Sequence, residues 1–284
     1  MSATIITIAI EKGGTGKTVT ASNLAYLMGD EGKRVLCIDT DPQGNLTKAL
    51  SGGESITSEN FYGKALYNLI DGFMYGTQTK NFIVESEYEN VDFIPCDVQT
   101  PRINRRIEDL KEDSDHLKDD DPRKVANIGA FLYHFLKQVE DDYDYIIIDT
   151  QPTRDSLLLS NAIYAADYVL IPAMCEDNSE ESAFRLYTEC NKMRKSSTSH
   201  LKGVGVLLVN VDKNASTDKK MRTHFKEELG ASLFETEIPA SRSVKTSISR
   251  FVPVCYLAKT QPVAKAYVNA YKELQRRLAD AEVN

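Results

Sequence analysis

The sequence contains no tryptophan, few cysteines and no long hydrophobic run. The missing tryptophan excludes no fold class, because an apolar fraction of 42% and an aromatic fraction of 8% suffice for a sizeable core. Only about seven apolar-rich residues precede the first charge in MSATIITIAIEKGG, fewer than a signal peptide or a membrane span requires. We therefore expect a soluble cytoplasmic protein that is not exported.

The five cysteines lie far apart and form neither a CxxC pair nor a cluster with histidine. This spacing argues against a zinc site or an iron–sulfur centre and fits a reducing cytosol. The cysteines are Cys37, Cys96, Cys175, Cys190 and Cys255.

Short apolar runs alternate along the chain with amphipathic stretches of helical length. The runs occupy residues 4–10, 34–38, 91–94, 145–148, 168–171 and 204–209. Such alternation predicts the α/β class, with a doubly wound, mostly parallel sheet flanked by helices. A large sheet of this kind accommodates 284 residues in one unit, so we expect a single domain over residues 1–284. Two segments that break the pattern, at about 52–80 and 108–123, are interpreted as insertions.

The C-terminal stretch from Pro262 to Ala281 carries an apolar stripe at helical spacing. This stripe favours a final helix packed on the sheet. A membrane-binding amphipathic helix is the alternative, but its polar face mixes acids with bases instead of being rich in Lys and Arg.

A glycine-rich turn separates the first apolar run from a helical pattern and reads KGGTGKT. Its glycines let backbone amides face phosphate oxygens, while Lys17 can neutralise phosphate charge and the Thr18 hydroxyl can ligate Mg²⁺. The sequence does not match the first position of the generic pattern GxxxxGK[ST], because Glu11 stands where the pattern has glycine. Phosphate binding by the loop does not depend on that position. We therefore predict a site for ATP and Mg²⁺. Its loop residues are Lys12, Gly13, Gly14, Thr15, Gly16, Lys17, Thr18 and Val19.

Carboxylates follow two further apolar runs. The segment DTDPQGN places Asp39 and Asp41 after the second run, and YIIIDT ends the fourth run with Asp149. These acids can hold Mg²⁺ through water or orient an attacking water, so we predict a metal site formed by Thr18, Asp39 and Asp149. A simple turn at residues 41–44 and an ordinary strand end at Asp149 are the alternatives.

The string KGGTGKT, with its extra lysine, closely resembles the deviant Walker A loop of the ParA/MinD family of partition and positioning ATPases. The resemblance implies a P-loop ATPase that forms a sandwich homodimer with ATP, in which Lys12 reaches the partner subunit's nucleotide. It also implies that Asp41 organises hydrolysis, giving Asp41, Lys12 and Lys17 as the catalytic set. Gln151 stands where family members usually have proline. The resemblance therefore does not define the details of the loop that follows Asp149.

The resemblance covers roughly residues 4–50 and 143–275, and residues 52–125 match poorly. We expect no helix-turn-helix domain before the first strand. The family makes its base contacts in the region of Asn210 and near Pro239, and an asparagine amide can read an adenine edge. A strand-terminal Asn210 that only caps the following turn is an equal alternative.

The window from Lys192 to Lys265 holds 14 Lys or Arg against 6 Asp or Glu, a net +8 in a chain of net −8. This asymmetry supports a ParA-type DNA-segregation ATPase, nucleoid-associated, that binds DNA without sequence preference. The resemblance further implies a ParB-like, centromere-binding adaptor that stimulates hydrolysis. A solvated basic face without DNA is the alternative. The candidate DNA-binding residues are Lys219, Lys220, Arg222, Arg242, Lys245 and Arg250.

Two other functions stay open. A MinD-like positioning ATPase would bind anionic lipid through the C-terminal helix, and the acids of that helix argue against it. A small-molecule synthetase of the dethiobiotin synthetase type shares the loop and the fold, and the extra Lys12 and the basic window argue against it. A nitrogenase-type iron–sulfur reductase is disfavoured because no cysteine follows Asp149 as that chemistry requires.

Overall fold

The computed structural model describes residues 2–53, 67, 69–70, 72–96, 100–121, 123–124, 127–153, 156–196 and 199–283. Within this part of the chain one seven-stranded sheet has the order β3-β4-β2-β5-β1-β6-β7. Every neighbouring pair is parallel except β3 and β4, which are antiparallel. The strands are β1 (Thr4–Ile8), β2 (Val35–Asp39), β3 (Val84–Glu85), β4 (Val91–Ile94), β5 (Tyr145–Asp149), β6 (Tyr168–Ala173) and β7 (Gly203–Leu208).

Helices connect the strands and cover both faces of the sheet. The α-helices are α1 (Lys17–Asp30), α2 (Asn45–Leu50), α3 (Thr100–Asp115), α4 (Phe131–Lys137), α5 (Leu157–Ala165), α6 (Asp177–Arg194), α7 (Ser216–Leu229), α8 (Arg242–Arg250), α9 (Val254–Leu257) and α10 (Pro262–Val283). Short 3₁₀ turns occupy Gly72–Tyr75, Thr79–Phe82, Ile128–Ala130 and Gly230–Ser232. The predicted doubly wound α/β fold is confirmed.

Alternate residues of each central strand enter different cores. In β1, Ile6 and Ile8 pack with α1 and α10, whereas Ile5 packs on the opposite face with α4 and α5. A third cluster joins α6 and α7 to the β6–β7 side of the sheet. A sheet buried on both faces requires nearly continuous apolar strands, as these runs are. These cores pack against the sheet, and the loops of the site lie at the carboxyl edge of that sheet.

Strand β3 was not predicted. It has two residues, Val84 and Glu85, and pairs at the edge of the sheet. A strand of two residues is too short to show a periodic pattern in the sequence. Of the two predicted insertions, residues 54–66, 68 and 71 of the first lie outside the described residues. In the second, residues 108–115 form the end of α3 and the described residues after it form turns.

The C-terminal helix α10 runs from Pro262 to Val283 and turns its apolar stripe inward. Val263, Tyr267, Tyr271 and Leu274 of this stripe are buried against the sheet and α1. The apolar face expected for a membrane-binding helix is therefore already covered by the core. In the described part of the chain, no helix has the length and apolarity to span a membrane.

Candidate functional site

The loop between β1 and α1 lies at the carboxyl edge of the sheet, in the middle of the strand order. Gly14 and Gly16 have φ angles of 78° and 75°, in the left-handed region that side chains disfavour. Gly16 is also the residue that caps the N-terminus of α1. The glycines thus turn the chain tightly into the helix, whose first amide groups and dipole favour an anion.

Lys17 is held within this loop. Its Nζ donates a hydrogen bond to the backbone oxygen of Lys12 at 3.1 Å, and the residue is buried. Burial lowers the pKa of the Lys17 ammonium, and the nearby carboxylates of Asp149 and Asp41 oppose that change. The ammonium is therefore desolvated and aimed by the backbone, as a phosphate-binding lysine must be.

Thr18 and Asp149 meet at the end of β5. The Thr18 hydroxyl donates to Oδ2 of Asp149 at 2.7 Å, and Oδ1 of Asp149 is buried with no hydrogen-bond partner among the described residues. Burial, then the neighbouring Asp39, raises the pKa of Asp149 well above its usual range. A bound divalent cation would supply the missing partner and favour the charged carboxylate. These two oxygen donors fit Mg²⁺, which keeps water and substrate oxygens as its other ligands.

Asp39 uses both of its carboxylate oxygens within the protein. Oδ2 accepts hydrogen bonds from the backbone amide and the hydroxyl of Thr47, both at 2.8 Å, and Oδ1 accepts from the amide of Asp41 at 3.1 Å. Burial raises the pKa of Asp39 to about 6, although these hydrogen bonds act to lower it. Asp39 consequently fixes the start of α2 and the Asp41 turn, so any contact with a metal would pass through water.

Asp41 lies in the turn that follows β2. Its Oδ1 accepts from the backbone amide of Gln43 at 2.9 Å, and the side chain borders the same cavity as the glycine-rich loop. The turn at residues 41–44 is therefore present, and Asp41 also borders the cavity. No group of three or more His, Cys, Asp or Glu is arranged to hold a metal among the described residues.

Two charged residues at the start of the loop pair with helix α6 and the residue before it. Lys12 Nζ lies 3.0 Å from Oε2 of Glu176, and Glu11 Oε2 accepts hydrogen bonds from Nε of Arg185 at 2.9 Å and from its Nη2. Lys12 therefore forms an ion pair within its own chain. Sequence reasoning missed Glu176 and Arg185, although Glu176 follows β6 at the same sheet edge, a position that could have drawn attention.

A cavity of about 410 Å³ extends from the loop toward the base of α8. Asn210 and Pro239, predicted as base contacts, both line it, and Asn210 has a φ of 56°. Several apolar residues of the cavity were not predicted, since they come from segments distant in the sequence. These apolar residues are Met174, Val209, Ile238, Val244, Ile248, Phe251 and Val252.

The six basic residues predicted to bind DNA lie on two different helices. Lys219 and Lys220 are exposed on α7, whereas Arg222 on the same helix is half-buried and pairs with Glu237 at 2.5 Å. On α8, Arg242 and Arg250 are exposed. Lys245 lies between them, is exposed as well, and also lines the cavity beside the glycine-rich loop. The structure thus separates Arg222 and Lys245 from the other four.

Comparison with known proteins gives a consistent family. A family model described as an AAA domain matches residues 3–203. The sporulation initiation inhibitor protein Soj of Bacillus subtilis is 30% identical over 278 residues, covering 95% of this chain and 97% of Soj. The chromosome partitioning protein ParA of Caulobacter vibrioides is 27% identical over 278 residues, covering 98% of this chain and 96% of that protein.

Solved structures share the fold. An ATP complex of McdA from Cyanothece superposes with a TM-score of 0.78 at 23% identity, covering 96% of this chain and 97% of McdA. A Borrelia burgdorferi putative plasmid partition protein bound to AMPPNP gives 0.72 at 24% identity, covering 97% and 99%. Cobyrinic acid a,c-diamide synthase from Mycobacterium smegmatis, with ADP and magnesium, gives 0.68 at 20% identity, covering 87% and 91%. At these identities the structural similarity shows a shared fold and nothing more.

Proposed function

This chain belongs to the ParA/MinD family of P-loop ATPases, and on that premise we propose that it is a ParA-type DNA-segregation ATPase. In this proposal ATP drives the formation of a homodimer that binds DNA without sequence preference. A ParB-like adaptor then stimulates hydrolysis and releases the dimer. The proposal rests first on one observation, the similarity to Soj and ParA over nearly the whole chain, which includes the region beyond the family match.

The nucleotide site follows from the geometry of the loop. We propose that the amides of residues 13–18 and the Lys17 ammonium hold the phosphates, and that Thr18 and Asp149 hold Mg²⁺. The unpartnered buried oxygen of Asp149 is the observation that favours a cation at this position. When bound, Mg²⁺ neutralises charge on the phosphate oxygens. The ATP and AMPPNP complexes of McdA and the Borrelia protein, and the ADP and magnesium in the synthase, support these ligands.

Asp41 is proposed to position the water that attacks the terminal phosphate. One of its oxygens is fixed by the amide of Gln43, and the turn itself is fixed by Asp39, so the carboxylate has a defined direction. The other oxygen receives no hydrogen bond from any described residue. A water held there would be oriented by a carboxylate whose position does not depend on the ligand.

Lys12 is proposed to serve the nucleotide of the partner subunit. Its present ion pair with Glu176 is largely solvent-exposed, with 28% and 53% of the two side chains accessible, so it is weak and readily exchanged. A phosphate presented by a second subunit would offer Lys12 a more highly charged partner than one carboxylate. The ion pair therefore keeps Lys12 extended without preventing dimerisation.

The DNA surface is proposed to consist of four exposed basic residues that form no ion pair with a described residue and do not line the cavity. Lys219 and Lys220 on α7, and Arg242 and Arg250 on α8, can each contact a backbone phosphate. Arg222 is already neutralised by Glu237 and is expected to add little. Binding of this kind depends strongly on salt and little on sequence.

Sedimentation of the purified protein with ADP and with ATP tests the proposed ATPase cycle. The wild type should sediment as a monomer with ADP and as a dimer with ATP. Lys12→Gln should bind ATP and remain monomeric, because its loop glycines, Lys17 and Thr18 are intact. A Lys12→Gln protein that dimerises with ATP as the wild type does would refute the role given to Lys12.

A further inference from the structure

Lys245 stands apart from the other basic residues of its window because it lines the cavity next to the glycine-rich loop. Helix α8 begins after Ser241, whose hydroxyl accepts a hydrogen bond from the amide of Ser243 at 3.2 Å. Val244 and Ile248 of the same helix also line the cavity, and Ser247 is buried. Lys245 is exposed and borders the cavity beside these residues.

Charge makes this position unusual. Among the described residues that line the cavity, the charged ones are Lys17, Asp41 and Lys245. Lys17 is already engaged by the oxygen of Lys12 and faces the carboxylates of Asp149 and Asp41. No described residue forms an ion pair or a hydrogen bond with the Lys245 ammonium. An anion that enters the cavity would therefore meet a second ammonium group that no described residue engages.

We infer that Lys245 is a nucleotide-binding residue, whose ammonium contacts the phosphate chain of the nucleotide and raises its affinity. The inference rests on the nucleotide site of the proposed function and removes Lys245 from the proposed DNA surface. Two features carry it: the placement of Lys245 on the cavity wall and the lack of any acid to neutralise it. A phosphate group has the charge complementary to the two ammonium groups that line the cavity, Lys17 and Lys245.

Calorimetric titration of ADP with Mg²⁺ into the full chain tests the inference without requiring dimerisation or DNA. Lys245→Gln should bind ADP about fivefold to tenfold more weakly than the wild type, as expected for the loss of one hydrogen bond from a solvent-exposed ammonium group. Lys245→Arg should restore the affinity to within about twofold, because it keeps the charge. The affinity of Lys245→Gln should also depend less steeply on salt than that of the wild type.

Lys265→Gln is the matched control, since Lys265 is an exposed lysine of α10 that does not line the cavity. It should bind ADP as the wild type does. Wild-type affinity for ADP in Lys245→Gln, or equal losses in Lys245→Gln and Lys245→Arg, would overturn the inference. A wild-type chain that fails to bind ADP would instead refute the proposed function itself, so the two failures are distinguishable.

Discussion

The glycine-rich loop and the basic window show how differently two functional predictions depend on the fold. At the loop, residues from β1, β2 and β5 meet at one sheet edge, where Thr18 bonds to Asp149 and Asp39 fixes the Asp41 turn. In the basic window, Arg222 is paired with an acid, Lys245 is exposed and borders the cavity, and the other four candidates are exposed outside the cavity. A motif with short spacing defines local geometry, whereas a charge total over a window does not.

The physical reason lies in what each pattern constrains. A loop with required backbone angles and a buried lysine adopts few conformations, so its residue spacing fixes its shape. The direction of a lysine or arginine side chain on a helix depends on how that helix packs against the rest of the chain.

Lys17→Ala should remove nucleotide binding, with a loss of about a hundredfold or more. Lys17 is buried in the loop, and its removal leaves the phosphates without their desolvated cation. ADP titration measures the effect, and the far-ultraviolet circular dichroism spectrum checks that the variant is folded. Tight ADP binding by a folded Lys17→Ala protein would contradict the assignment of the loop.

Asp41→Ala should lower ATP turnover by about a hundredfold or more while ATP binding is retained, as for the loss of a group that orients an attacking water. The steady-state release of phosphate and the affinity for ATP are measured on the same preparation. Gln43→Ala is a suitable control, because it changes the same turn but keeps the amide that bonds to Asp41. Turnover in Asp41→Ala near the wild-type rate would refute the proposed role of Asp41.

Lys219→Ala combined with Lys220→Ala should weaken ATP-dependent DNA binding by about tenfold at physiological salt. The slope of log affinity against log salt should fall by about one for each phosphate contact removed. Arg222→Ala is the comparison, since the ion pair of Arg222 with Glu237 already occupies its charge. Equal slopes in the double variant and the wild type would show that α7 does not face DNA.

Glu176→Gln should strengthen ATP-dependent dimerisation by about twofold to fivefold. The substitution frees Lys12 from a solvent-exposed ion pair, which contributes little to stability. The dimer dissociation constant with ATP is obtained by sedimentation at several protein concentrations, and Glu181→Gln on the same helix serves as the control. Weaker dimerisation in Glu176→Gln would indicate that Glu176 supports the active loop instead of competing for Lys12.

The sequence predicted the central sheet well because its strands are continuous apolar runs buried on both faces, such as residues 145–148. It missed β3, whose two residues pair only at the sheet edge. It identified the loop, Asp41 and Asp149 from motifs at the ends of apolar runs, and Asn210 from the family resemblance. It could not foresee the Lys12–Glu176 pair, the apolar wall or the orientation of Lys245, because each depends on how separate helices pack.

The most direct test of the segregation function is co-sedimentation of the wild-type chain with nonspecific duplex DNA, at low and at physiological salt, in the presence of ATP, ADP or no nucleotide. We predict that the protein co-sediments with DNA when ATP is present and that this binding weakens steeply as salt rises. We expect little co-sedimentation with ADP or without nucleotide. An ATP-bound dimer that fails to sediment with DNA at either salt concentration would contradict the account.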